Sequence, residues 1–296
     1  VILIAGGTGR LGTIVVRSLA DRGLDVRVLT RDSARAAHLA TDRVEVATGD
    51  VRDRATLEAA TAGVDVVLSA MHGFVGPRGT SPATVDRDGN ANLIDATRAA
   101  GAEFVLMSTV GAAANSPMEL FRMKHAAEQH AAASGAPTTV VRATAFLELW
   151  IELLEQTASR SGRPIVFGEG DNPINFVSVD DVAAVVEWAI TDPTTRGQIL
   201  EIGGPDNLTF NQLAAAVQTA AGRISAARHV PRSMLHVMAN TIGRLKPELG
   251  RQTRAALVMD HLDLTFDATP IHRDHPGLPT TSLADVLARH SAAHSY

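Results

Sequence analysis

The first twelve residues constrain this chain more than any later stretch. Val1-Ile2-Leu3-Ile4-Ala5 is an apolar run of strand length, Gly6-Gly7-Thr8-Gly9-Arg10-Leu11-Gly12 follows at once, and Leu11, Val15 and Leu19 then recur at helical spacing. A buried strand that must turn into a helix within a few residues needs backbone without Cβ atoms, which glycine supplies. The first N–H groups of such a helix have no partner inside it, and the helix dipole adds partial positive charge there. In this context the expected ligand is a dinucleotide pyrophosphate, held by Gly6, Thr8, Gly9, Arg10, Leu11 and Gly12. Two spacings fit, Gly7-Gly9-Gly12 as GxGxxG and Gly6-Gly9-Gly12 as GxxGxxG, and a tight turn with no ligand would use the same residues.

Strand-like runs recur at Val26–Leu29, Val44–Ala47, Val64–Ser69, Phe104–Ser108 and Thr138–Arg142, each separated by a segment that can be helical. This alternation predicts an α/β fold with a doubly wound parallel sheet, a Rossmann fold. Right-handed crossovers then bring ligands to the carboxyl ends of the strands, where strand order reverses. With 296 residues and 45% hydrophobic content the chain can bury a large core. Its net charge of −5, with no basic block, argues against nucleic acid as the main partner. Cysteine is absent, which removes disulfides, thiolate catalysis and cysteine-ligated zinc. No apolar run reaches membrane-spanning length and no leader precedes the first strand, so no membrane partner and a cytoplasmic location are expected. The chain begins at Val1 without an initiator Met, so at least one residue is expected to have preceded it.

The residues just after each strand are the ones to read for chemistry. Arg31 stands where a carboxylate would accept from the adenosine ribose of NAD. A guanidinium there pairs with a 2′-phosphate instead, and Arg10 can approach the same group, which favours NADP. Asp32 is the contrary sign, unless it or Ser33 caps the helix that follows. Asp50 and Val51 after the third strand can meet the adenine edge, or simply start a helix. Ser69 and Ala70 end the fourth strand at the cofactor, and His72 opens a Gly/Pro-rich loop, Gly73–Pro82, from which it can reach substrate or serve as an ordinary loop residue. His272 and His275, bracketed by Pro270 and Pro276, read as surface loop, His229, His236 and His261 are scattered, and no metal site is expected.

Together, Ala5–Gly12, Thr30-Arg31, Gly49-Asp50, Asn92–Ala96, Val141-Arg142, Asn175–Ala183 and Ile202–Pro205 resemble an atypical short-chain dehydrogenase/reductase of the NmrA-like group. The resemblance implies an NADP-binding Rossmann core over 1–150 with return segments about 174–203, and a smaller substrate-binding lobe mainly over 151–296. It implies that Thr144, Phe146 and Leu147 border the nicotinamide and substrate, although helix-to-sheet packing explains apolar residues there equally well. It places a carbonyl-polarising hydroxyl at Ser108 or Thr109. The wider family carries Tyr-x-x-x-Lys on the next helix, where the phenol protonates the oxygen receiving hydride. Here that segment is Leu120-Phe121-Arg122-Met123-Lys124, and the only tyrosine in the chain is Tyr296. Lys124 is therefore expected to bond the nicotinamide ribose or to donate to substrate, unless it lies on a solvated helix face. Asp180 and Asp181 are expected to cap the helix they open.

The expected activity is that of an NADPH-dependent reductase of a ketone, quinone or conjugated carbonyl, aromatic or polyketide-like, acting without the family tyrosine. A non-catalytic NADP-sensing regulator, and a related epimerase, dehydratase or isomerase, are the alternatives. The expected partner is a small-molecule carbonyl substrate, with homodimer formation left open. The Met-bearing stretch Pro231–Asp263 can cover such a substrate, fill the core of the lobe or form a dimer face.

Overall fold

The computed structural model describes residues 1–76, 79–241, 243 and 246–293. The chain opens with β1 (Ile2–Ala5), α1 (Arg10–Asp21), β2 (Val26–Thr30), α2 (Ser33–Ala36), β3 (Val44–Thr48), α3 (Arg54–Thr61) and β4 (Val66–Ser69). A π-helical turn, Pro82–Arg87, leads into α4 (Asp88–Ala99), followed by β5 (Glu103–Thr109), α5 (Glu119–Ser134) and β6 (Thr138–Ala143). Next come β7 (Ala145–Phe146), α6 (Leu147–Ser161), β8 (Ile165–Phe167), β9 (Pro173–Val177), α7 (Val179–Thr191) and β10 (Ile199–Ile202). The remainder holds β11 (Asn207–Thr209), α8 (Phe210–Ala220), β12 (Arg228–Val230), α9 (Arg232–Asn240), α10 (Pro247–Met259), α11 (Thr269–Asp274) and α12 (Leu283–Ala293). All five strands predicted after the first form within two residues of their expected limits.

Seven strands make one sheet in the order β10-β6-β5-β4-β1-β2-β3, and the pairs from β6 through to β3 run parallel. This is the doubly wound α/β fold, with its order reversing at β1. Leu3 and Ala5 of β1 join Leu57 of α3, Leu93 and Ile94 of α4, Phe104 and Leu106 of β5, and Ala127 and Ala131 of α5 in one buried cluster. Because side chains alternate along a strand, Ile4 and Val28 face the other side, where Val16 of α1 lies with Val28 beside Gly7. The amphipathic face of α1, Leu11, Val15, Val16 and Leu19, is buried, as its spacing requires.

The chain divides into two compact units, Val1–Ala143 with Val182–Glu201, and the smaller Thr144–Asp181 with Ile202–Tyr296. The first holds the parallel sheet. In the second, β11-β9-β7 form a three-stranded sheet and β12-β8 a parallel pair. Phe210 meets Trp150 and Phe176 edge-on, with ring centroids 4.7 and 5.7 Å apart. The centre of this unit is polar at one point. Asn175 of β9 is 1% exposed and accepts from Thr144 Oγ1 and the Gly204 amide, each at 2.9 Å, while its Nδ2 donates to Gly204 O and Asn207 Oδ1, each at 3.1 Å.

Two sequence expectations are corrected here. Asp180 and Asp181 do not cap α7: Ser178 Oγ accepts the Asp180 amide, while Asp180 pairs with Arg289 at 2.8 Å. Asp181, 1% exposed, accepts from the amide and hydroxyl of Thr281 at 2.7 and 2.6 Å. These partners lie about a hundred residues downstream, beyond the reach of any local pattern. The stretch around His272 is not loop but the short helix α11, whose Pro270 sits in the first turn, where a missing N–H costs nothing. Among the described residues no helix is long and apolar enough to cross a membrane.

Replacing Asn175 with Ala strands the Gly204 amide and the Thr144 hydroxyl in the interior. The expected loss is about 3 kcal/mol of unfolding free energy, measured by urea denaturation, at roughly 1–3 kcal/mol for each unsatisfied group.

Candidate active site

The turn after β1 is shaped by contacts that leave no room for side chains. Gly6 has φ +92°, and a Cβ there would lie 2.7 Å from Ala70 O at the end of β4. A Cβ on Gly12 would stand 2.2 Å from Gly6 O, and one on Gly7 2.9 Å from Val28 Cγ1. Gly6 and Gly12 are thus enforced by backbone against backbone, Gly9 meets only Gly6 O at 3.2 Å, and Gly7 is limited by the Val28 side chain. Gly9 is the N-cap of α1, contributes no side chain, and no acidic residue occupies the first turn. Leu11 is buried, Thr8 half-buried, and Gly9 and Arg10 are exposed. The start of α1 accordingly presents backbone amides and positive dipole at the reversal of strand order.

Around this turn stand the ends of the neighbouring strands. Arg31 is exposed directly after β2. Asp32 caps α2 by accepting from Ala34 N at 3.0 Å, so its carboxylate is engaged locally and the contrary sign for NADP is lifted. Asp50 is gripped by Arg52, with Nε donating to Oδ1 at 2.9 Å and Nη2 to Oδ2 at 2.5 Å. That hydrogen bonding, opposed by partial burial and helped by the Arg31 charge, holds the Asp50 carboxyl below its ordinary range. Val51 is buried, and its carbonyl accepts from Asn92 Nδ2 at 3.0 Å.

Beside β4 lies a buried polar chain that local sequence patterns gave no sign of. Ser69, fully buried, donates to Asn90 Oδ1 at 2.5 Å, and Asn90 Nδ2 donates to Asp86 O at 2.8 Å. Asp86, also fully buried, sits on the π-helical turn, a distortion frequent at functional sites. Its Oδ2 accepts the Gly73 amide at 2.7 Å, and its Oδ1 lies 3.0 Å from Lys124 Nζ. Lys124, 5% exposed, also donates to Met71 O at 2.8 Å. The solvated-face alternative for Lys124 is therefore excluded. Ala70 hydrogen-bonds through its amide to Ala5 O at 2.8 Å and abuts Gly6. His72 is in contact with solvent, yet desolvation holds its pKa below the ordinary histidine value, with Asp86 pulling upward and Lys124 downward.

At the end of β5 the two candidate hydroxyls are turned to protein partners. Ser108 donates to Glu128 Oε1, and Thr109 Oγ1 donates to Val110 O at 3.2 Å. Glu128, 6% exposed, also takes a forked contact from Arg142, 3.0 Å from Nε and 2.6 Å from Nη2, and Arg142 reaches Glu201 at 3.1 Å. These bonds raise the Arg142 pKa, so the guanidinium stays charged. Thr144, Phe146 and Leu147 belong to the second unit: the Thr144 hydroxyl is bound to Asn175, Phe146 is half-buried beside Val177, and Leu147 is buried at the start of α6. Asp86, Asn90, Glu128 and the partners of Arg142 escaped the sequence reading because their contacts join separate elements.

The profile of the NmrA-like family matches residues 1–255. This chain belongs to the NmrA-like family. As an NmrA-like protein it is 31% identical over 298 residues to NAD(P)H azoreductase of Xenophilus azovorans, covering 99% of this chain and 98% of that protein. It is 28% identical over 224 residues to quinone oxidoreductase 2 of Escherichia coli K12, covering 75% of each. A crystal structure of the NADPH-dependent quinone oxidoreductase of Escherichia coli, complexed with NADPH, superposes with TM-score 0.80 at 24% identity, over 98% of this chain and all of that one. In this NmrA-like chain Leu120 is half-buried on α5, and Tyr296 lies outside the described residues.

The glycine contacts rank the turn's substitutions. Gly6→Ala combines positive φ with a backbone clash and should cost about 2–4 kcal/mol in a urea melt, whereas Gly9→Ala, facing only Gly6 O at 3.2 Å, should cost about 1 kcal/mol or less.

Proposed function

We propose that this protein is an NADPH-dependent reductase of quinones and conjugated carbonyl compounds, with aromatic azo compounds as related acceptors. The observation that carries this reading is the uncapped N-terminus of α1, built on Gly6 and Gly12 at the reversal of strand order. The residues present fit the dinucleotide. Amides of the first turn of α1 hold the pyrophosphate, exposed Arg31 and Arg10 flank the 2′-phosphate, and the Asp50–Val51 backbone borders the adenine. Ser69 and Ala70 lie at the strand end that faces the turn. Relatives named as an NAD(P)H azoreductase and a quinone oxidoreductase, matched over 99% and 75% of this chain, support the same acceptor class.

When bound, the cofactor supplies a hydride, and the acceptor must also gain a proton. No phenol of the family pattern is available for that proton, because Leu120 stands in its place. Ser108 donates its hydroxyl hydrogen bond to Glu128, so we assign it to holding β5 against α5 rather than to polarising substrate. Lys124 is the remaining donor: an ammonium has three N–H groups, and the Met71 carbonyl takes one. Its charge stabilises the oxyanion as it forms, in an interior where such interactions are strong. His72, at the mouth of the same loop, and Thr109 are assigned to the substrate side of the first unit; within the second unit, Thr144, Phe146 and Leu147 are assigned separately to binding substrate.

Arg31→Ala should weaken NADPH binding about tenfold or more and NADH binding by less than about threefold, since a charge-assisted pair to a phosphate contributes roughly 1.5–3 kcal/mol. Calorimetry with both coenzymes checks this; equal losses would remove the phosphate assignment. Loss of NADPH absorbance across a panel of quinones, enones and azo dyes tests the activity. Tight NADPH binding with no oxidation of it by any acceptor would make the protein a dinucleotide sensor instead.

A further inference from the structure

The role given to Lys124 leaves open what fixes its ammonium in the interior, where Lys124 is 5% exposed. An unpaired buried charge is strongly disfavoured, so the partner must be close and must itself be held. Asp86 meets both conditions. Its side chain is fully buried, its Oδ2 is anchored by the Gly73 amide at 2.7 Å, and its Oδ1 lies 3.0 Å from Lys124 Nζ. Oδ1 nevertheless has no aligned hydrogen-bond donor among the described residues. The contact is an ion pair, and Nζ also donates to Met71 O. An ammonium has three N–H groups, so these two partners leave one over. Asp86 also ties Lys124 to the Met71–Gly73 segment, which carries His72.

We propose that Asp86 is the positioning residue of the reduction: it fixes the Lys124 ammonium against the Met71–Gly73 segment, so that a hydrogen of Nζ remains available to the acceptor. The inference rests on the proposed function. In the step it supports, an N–H bond of Lys124 breaks and an O–H bond forms on the acceptor that has taken up hydride. The two electrons come from NADPH, and the neutral amine regains its proton from water. Asp86 itself neither gains nor loses a proton.

The chain has only two lysines, Lys124 and Lys246, which makes a chemical readout independent of turnover possible. Lys246 is exposed and serves as the internal reference. Acylation by acetic anhydride needs the neutral amine, so mass spectrometry of the modified full-length protein without cofactor reports how firmly each ammonium is held. In Asp86→Asn the ratio of Lys124 to Lys246 modification should rise about tenfold, because the substitution removes the stabilising charge at nearly constant shape. With NADPH and the best quinone of the panel, kcat should fall about 10- to 100-fold while KM for NADPH stays within about threefold. Asp86→Asn combined with Lys124→Met should be no slower than Lys124→Met alone, because the two residues act as one unit. Should Asp86→Asn not fold, Asp86→Glu, which keeps the charge but displaces it, should leave the acylation ratio near wild type and still lower kcat. An unchanged acylation ratio with unchanged kcat, or additive losses in the double variant, would overturn the proposal. Failure of the proposed function looks different: the wild-type protein then oxidises no NADPH with any acceptor.

Discussion

The passage from β1 to α1 brings two strands of backbone into van der Waals contact, Gly6 against Ala70, and seats the first turn of α1 on Gly6 itself. A single methyl group at Gly6 or Gly12 would push these segments apart. Because β1 lies between β2 and β4, separating them would disturb the centre of the seven-stranded sheet, not one loop. The same contact leaves the amides of α1 uncovered at the strand ends. Tight packing and ligand capacity are therefore one feature: the glycines that let the sheet close are those that let a phosphate approach.

Around this turn the first unit buries charge in an ordered way. Helix α5 carries Lys124 and Glu128 one helical turn apart, the first facing Asp86 and the second held by Arg142 and Ser108. Each pair loses hydration on burial and is retained only with close geometry and further hydrogen bonds. Glu128 has both, from a forked guanidinium and a hydroxyl. Asp86 has the Gly73 amide on one oxygen and the Lys124 ammonium 3.0 Å from the other. Glu128 therefore meets three donors, whereas the Asp86 pair is held by one amide and the ammonium.

In the second unit buried polar side chains do the work of regular hydrogen-bond ladders. Asn175 joins β9 to the Gly204 turn and to Thr144, and Asp181 fastens the start of α7 to Thr281. Asp260 accepts from the amides of Glu169 and Gly170 and from Arg232. Burial pushes the Asp260 carboxyl up, but those amides and Arg232 outweigh it and hold the pKa below the ordinary value. Irregular segments of this unit thus gain fixed positions without long strands. The Met-bearing helices divide between the readings open to them: Leu235, Leu257 and Met259 are buried, while Met234 and Val237 stay exposed.

The alternating apolar runs and the glycine-rich turn determined the sheet and the position of α1, because those depend on periodicity and on residues without side chains. The absence of a family tyrosine and the identity of Arg31 were equally plain from the sequence. Tertiary structure alone decided that Ser108 serves Glu128, that Asp180 and Asp181 reach the C-terminal segment instead of capping α7, and that Lys124 is buried against Asp86. Each of those outcomes depends on a hydrogen bond or ion pair between residues far apart in the chain. A short window of sequence carries propensity and pattern, but it holds no record of which buried donor will meet which acceptor once the elements pack.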